Sequence, residues 1–373
     1  MATDERILRT PICDLLDIKY PILLAGMGEA STPELAAAVS NAGGLGVLGA
    51  SAQDPDGLSE WIQRTRKLTS QPFGVNTLLP TGVPSGGEKK QLRAEIPQTH
   101  LDFARAFQER HGIPRPDPTK SRTQSRMTFS RDFFKRQLEV ILDERVPVYS
   151  AGLGNPAFLM PEARARGMKV IAIAGAVKHA RGFKEGGVDI IVAQGTDGGG
   201  HNSRVGTMAL VPQVVDLVSP IPVLAAGGIA DGRGLVAALA LGAVGVWCGT
   251  PFLATPEAGI DDFQKEAIVE SNADDTVVTR SLTGKPVRVI KNLWSAEFDA
   301  SGLPALPMPF QPLLAFRVLE AARQANRKDV YPGAAGQSIG LLHRVRPARE
   351  IVEEMVQQAV EILTERFPRG IQV

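Results

Sequence analysis

Apolar residues in this chain fall into short continuous runs. Each run stops at glycine or a small polar residue, and most lead into a segment with helical spacing. The first, 20–24 (YPILL), ends at Ala25-Gly26-Met27-Gly28. Ser31 or Thr32 then caps a helix running to Asn41, with Pro33 and Glu34 in its first turn. Further runs lie at 45–48, 73–78, 146–150, 170–174, 190–193, 222–226 and 244–248, with helical patterns at 56–67 and near 156–166 among them. Runs this short, without polar alternation, predict strands covered on both faces, as in a parallel sheet wrapped by helices. Eight or nine such strands fit either a closed barrel or an open doubly wound sheet. Glycine-rich and polar residues close many of the runs, and phosphate-type turns follow two late ones, a barrel habit. No GxGxxG opens a helix after the first strand, which counts against a dinucleotide-binding sheet. The expected fold is therefore an α/β (β/α)8 TIM barrel with a smaller, mostly helical capping domain.

Two stretches break the alternation. Residues from 80 to about 136 are rich in proline and basic side chains, with one helical pattern at 98–110. A long insertion after a strand serves as a lid, an oligomer contact or an inert loop. Beyond about 256 the strands give way to helical patterns at 260–279, 313–326 and 348–367. The expected organisation is a barrel over 1–255 carrying the insertion at about 80–136, and a capping segment over 256–373 that returns to the barrel.

Composition narrows the class. With 373 residues, 43% hydrophobic, the chain can bury a large core. A net charge of +1 recommends neither nucleic acid nor an anionic membrane as partner. Two cysteines, Cys13 and Cys248, give no disulfide framework and no metal-ligand spacing. The charged N-terminal stretch does not read as a secretory signal, and no apolar run reaches membrane-spanning length. The expected setting is the cytoplasm, with a small-molecule substrate and a homodimer as a candidate assembly.

The chemistry concentrates between Gln194 and Thr250. AQGTDGGGH (193–201), PVLAAGGIADG (222–232) and GAVGVWCGT (242–250) each carry an apolar run into a glycine turn. Glycines at strand ends let backbone amides approach a phosphate closely, and the helix after Asp231 offers its N-terminus as well. Ala226, Gly227 and Gly228 with Gly249 and Thr250 are thus a candidate phosphate cradle. His201 follows three glycines and is the candidate acid–base residue. Asp197 either orients it or caps the turn. Asn76 and Gln194 can hydrogen-bond a planar heterocycle or the loop backbone. His100, His111 and His343 sit in charged, surface-like contexts, His179 begins a polar helix, Lys178 and Lys285 read as solvated, and Cys248 reads as core.

The strings AQGTDGGGH, LVPQVVD, IPVLAAGGIADGRG, ALGAVGVWCGT and TGKPVRVIKN resemble the nitronate monooxygenase (2-nitropropane dioxygenase) family. PILLAGMG, FGVN and GAAGQSIGLL extend that likeness to most of the chain outside the insertion. The resemblance implies a TIM barrel that binds FMN and uses molecular oxygen to turn nitronates or nitroalkanes into carbonyl compounds and nitrite. By position, Ala25, Gly26 and Met27 lie by the flavin, Asn76, Gln194, Gly195 and Gly200 contact it, and His201 matches the catalytic histidine. Departures are Gly26 where the family usually has proline, Asp197-Gly198 for Glu-Ala, and Pro251 for arginine. The related enoyl-acyl carrier protein reductase II and NAD(P)H:quinone reductases share several motifs. An NAD(P)H-dependent FMN reductase acting on an enoyl thioester or quinone is therefore the alternative.

Overall fold

The computed structural model describes residues 8–79, 89–121 and 130–370. Its strands in chain order are β1 (Ile22–Leu24), β2 (Gly46–Gly49), β3 (Phe73–Thr77), β4 (Val148–Ala151), β5 (Lys169–Ala174), β6 (Ile190–Gln194), β7 (Gly200–His201), β8 (Val223–Ala226), β9 (Gly245–Cys248), β10 (Thr276–Thr279) and β11 (Val287–Ile290). Eight of these form one sheet in the order β1-β9-β8-β6-β5-β4-β3-β2, with every neighbouring pair parallel. Main-chain bonds from Leu24 N to Leu45 O (2.9 Å) and from Leu45 N to Ile22 O (3.0 Å) join the first strand to the approach of the second. The sheet thereby closes as a (β/α)8 barrel.

The strands lack polar alternation because both faces are buried. Leu23, Val47, Val148, Ile171, Val192, Leu224 and Trp247 share one core, and the helix Pro11–Leu16 adds Ile12, Cys13 and Leu16 to it. The Thr10 hydroxyl donates to the carbonyl of Val244, just before β9, so this helix sits at the end of the barrel where the strands begin. Ile22, Leu24, Val75, Ile191 and Val246 belong to the larger core shared with the surrounding helices. Thr32, the expected cap, accepts from Leu35 N (3.2 Å), and Asp54 accepts from Gly57 N (2.9 Å) at the start of the helix Pro55–Leu68.

Of the insertion, residues 80–88 and 122–129 lie outside the described residues. The helix expected at 98–110 is present as Gln98–Arg110. The helix Arg131–Asp143 packs on the barrel through Leu138 and Ile141, and Gln137 Nε2 reaches the carbonyls of Ala50 (3.0 Å) and Gln53 (2.7 Å). The continuous helix expected over 260–279 is not found. A helix spans Asp262–Glu270, and Thr276–Thr279 turns into β10, pairing antiparallel with β11. The β-branched run TVVT gains ladder bonds there that a helix would not offer it. Another helix, Phe310–Gln324, supplies Leu314, Ala315 and Val318 to a second core with Phe107 from the insertion and Trp294 and Phe298 from the C-terminal third.

Candidate active site

The barrel strands end at one mouth, where a cavity of about 380 Å³ lies between strand ends and cap. Ala25, Gly26, Met27, Asn76, Gln194, Gly200, His201, Ala226, Gly227, Gly228, Gly249 and Thr250 all line it. Gly195 does not. A β-carbon at Gly195 would lie 2.2 Å from Thr207 Oγ1, so glycine there permits close helix packing, and its amide donates to Ala226 O (2.9 Å).

At β1 the chain turns through a small polar knot. Ser31 donates to Ala25 O (2.9 Å) and accepts from Met27 N (3.1 Å). A β-carbon at Gly26 would fall 2.2 Å from Asn76 Cβ, which accounts for glycine at that position in this chain. Asn76 is buried at the end of β3 and donates to Ser150 Oγ (2.8 Å) and Ser150 O (3.3 Å). Gln194 Nε2 donates to the His201 carbonyl (2.8 Å), fixing the loop that carries the histidine. Both amides thus spend their N–H groups on the protein. Their carbonyl oxygens make no hydrogen bond among the described residues.

His201 lies within a strand. Gly200, at φ +70°, lets the chain swing into β7, and His201 pairs with Val287 and Gly200 with Arg288 in a three-stranded antiparallel sheet with β11 and β10. The imidazole Nε2 stands 2.9 Å from Thr283 Oγ1. Burial pushes the His201 pKa down to about 4, and the charge of Lys285 adds to this. The ring is therefore neutral at neutral pH, with a lone pair available for a proton but a weaker base than an exposed histidine. Asp197 does not touch it. Its carboxylate accepts from Thr207 N (2.7 Å) at the start of the helix Thr207–Val218, which is the turn-capping role.

The cradle is made by turns. Gly227 and Gly228 hold φ values of +98° and +76°, and a β-carbon at Gly227 would meet Thr207 Oγ1 at 2.8 Å and Gly198 N at 2.9 Å. The amides of Gly227, Gly228, Gly249 and Thr250 donate to no group among the described residues. The N-terminus of the helix Gly232–Ala240 does not join them as expected. Asp231 takes the amides of Arg233 (3.0 Å) and Gly234 (3.3 Å), and Gln358 Oε1 takes that of Gly232 (3.0 Å). The Thr250 hydroxyl accepts from Gly336 N (2.9 Å), tying the cradle to the segment that crosses the mouth.

The cap supplies walls that sequence reasoning missed: Leu282, Thr283, Phe316, Leu319, Glu320 and Arg323. Phe316, Glu320 and Arg323 recur at helical spacing on one face of Phe310–Gln324, a signal present in the sequence without an address. Arg323 is held by Glu320 (2.8 Å) and Asp261 (3.3 Å). One histidine differs from expectation: His100 is buried with Nε2 at 2.9 Å from Pro304 O, whereas His111 is half-buried in a charged context against Glu297 (2.5 Å). Cys248 is core, its thiol pushed up to about 12 by burial. No cluster of three metal-ligating side chains occurs among the described residues, and none of their helices is long and apolar enough to cross a membrane.

The family model of the nitronate monooxygenases matches residues 9–358. The chain belongs to the nitronate monooxygenase family. It is 40% identical over 95% of its length to a Mycobacterium tuberculosis protein with a monooxygenase name, covering 97% of that protein. It is 36% identical, over 95% of its length and 99% of the relative's, to a Staphylococcus saprophyticus protein named as a probable nitronate monooxygenase. Among solved structures it is similar to FabK from Thermotoga maritima, with a TM-score of 0.77, 33% identity and coverage of 98% and 100%. It is likewise similar to nitroalkane oxidase from Streptomyces ansochromogenes, with a TM-score of 0.80, 30% identity and coverage of 95% and 99%. The chain is an oxidoreductase.

Proposed function

We propose that this oxidoreductase binds FMN at the barrel mouth and oxidises nitronates and nitroalkanes to carbonyl compounds and nitrite, with molecular oxygen as oxidant. The observation that carries the reading is a neutral histidine lining the same cavity as a cradle of uncommitted turn amides. The amides of Gly227, Gly228, Gly249 and Thr250 suit a phosphate group, since backbone donors bind an anion without a counter-charge. The carbonyl oxygens of Asn76 and Gln194 suit the N–H edge of a flavin ring, beside Ala25, Gly26, Met27 and Gly200. FMN, when bound, supplies the ring that accepts electrons from the substrate.

The chain's own part is proton transfer and enclosure. His201, neutral and partly shielded, takes the α-proton of a neutral nitroalkane, and the resulting imidazolium stabilises the nitronate oxygens. Leu282, Phe316 and Leu319 present apolar walls to the substrate side and limit water there. Replacing His201 by Asn is expected to lower turnover of neutral nitroalkanes by about 10²-fold or more, while preformed nitronates lose much less. Equal losses on both substrates overturn the base assignment.

The likeness to FabK favours a second reading, an NAD(P)H-dependent reductase of an enoyl thioester or quinone. Anaerobic mixing separates the two. Bleaching of the flavin absorbance by a nitronate but not by NADH or NADPH supports the oxidase. Rapid bleaching by either nicotinamide supports the reductase.

A further inference from the structure

We propose that Thr283 is a positioning residue that holds His201 in a single tautomer, with the proton on Nε2 and the lone pair on Nδ1 toward the substrate space. The inference rests on the reading of His201 as the proton-accepting residue, but its structural half can be tested without it. Thr283 sits in the turn between β10 and β11 and is buried, with its hydroxyl 2.9 Å from His201 Nε2.

The hydrogen-bond inventory of one hydroxyl favours one direction. Thr283 Oγ1 lies 3.5 Å from Lys285 O, to which it can only donate, and 3.4 Å from Lys285 N, from which it can only accept. With the hydroxyl hydrogen on Lys285 O and one lone pair facing Lys285 N–H, the remaining lone pair accepts from His201 Nε2–H. This assignment fills every role the hydroxyl has. The reverse, Thr283 donating to Nε2, leaves Lys285 O without that hydrogen and turns an N–H instead of a lone pair on Nδ1 toward the cavity.

Nδ1 itself makes no hydrogen bond among the described residues, yet it is not one of the sealed, partnerless polar atoms, so it is open to the cavity His201 lines. The main chain reinforces the arrangement. β7 is paired to β11 at His201↔Val287, Asn202 N donates to Pro286 O (3.2 Å), and Gln194 grips the His201 carbonyl. Backbone and ring are thereby fixed from the same turn. A cap residue thus sets which nitrogen of a barrel-mouth histidine can take a proton.

The test uses the intact holoenzyme with 15N-labelled histidine, the His201 ring signals being assigned by their loss in His201→Asn. In the unaltered protein at neutral pH, the expected spectrum has a protonated Nε2 and an unprotonated Nδ1. In Thr283→Val the expected result is a mixture of tautomers, and Thr283→Ser restores the original pattern. A proton on Nδ1 in the unaltered protein, or a spectrum unchanged in Thr283→Val, overturns the proposal.

The kinetic arm compares neutral nitroalkane with preformed nitronate. Thr283→Val is expected to lower kcat on the nitroalkane by about 10-fold or more with KM little changed, to leave the nitronate reaction near its original rate, and to be rescued by Thr283→Ser. If the spectra follow expectation but neither substrate turns over, the tautomer control stands and the functional reading falls. Equal loss on both substrates with unchanged spectra marks Thr283 as merely structural.

Discussion

At the scale of single residues, the depressed pKa of His201 has a signed consequence. Its folded value near 4 lies below the ordinary 6.5, so between these values the unfolded chain binds the extra proton. The stability linked to His201 is therefore complete above about pH 6.5 and is lost as pH falls toward 4. Activity that needs the neutral ring should keep its acid limb near 4, not 6.5. Lys285 is the second cause of the shift, after burial, so Lys285→Met should move the acid limb of nitroalkane kcat/KM upward without reaching the ordinary value. A pH–rate profile of the variant checks this, and a limb that stays in place or moves down removes Lys285 from the electrostatics of the site. The sequence showed His201 on its glycine run. It could not show Thr283, because that contact exists only once β11 is laid beside β7.

At the scale of elements, the cradle depends on backbone shape more than on side chains. Gly227→Ala puts a β-carbon 2.8 Å from Thr207 Oγ1 at φ +98°, where L residues are strained. The expected cost is about 1–3 kcal/mol in denaturant unfolding, together with weaker FMN retention during gel filtration. Retention at the original level would argue that the phosphate binds elsewhere. The barrel strands were legible because each is buried on both faces, so a run such as VLAA carries its own signal. β7, β10 and β11 were not. Two residues cannot show a period, and TVVT followed an apolar helical pattern closely enough to read as its continuation. The helix Gly232–Ala240 gave a similar half-signal: its N-terminus was visible, but not the carboxylate of Asp231 and the amide of Gln358 that use up its donors.

At the scale of the whole molecule, the insertion and the C-terminal third share one core. Phe107 of the insertion packs edge-on against Trp294, 5.3 Å between ring centroids, and Phe103 packs against Trp294 and Phe298 at 5.6 and 5.7 Å. Leu282 and Val287 belong to the same core and flank Thr283 and the strand paired with His201. Phe107 belongs to this core alone, while a separate core joins Ala30, Ala230 and Leu253 of the barrel to Ile268, Ile290 and Ile339 of the C-terminal third. Phe107→Ala should therefore loosen the cap while leaving the cradle turns of the barrel in place. The expected loss is about 3–5 kcal/mol in cap stability, seen as early proteolytic cleavage within 89–121 and a lowered first transition in denaturant. Flavin absorbance should persist through that first transition, and nitroalkane turnover should fall with it, because His201 loses the strand that fixes it. A single transition, in which flavin release and cleavage coincide, would mean instead that the two cores fold as one cooperative unit and that the cap cannot move without the barrel.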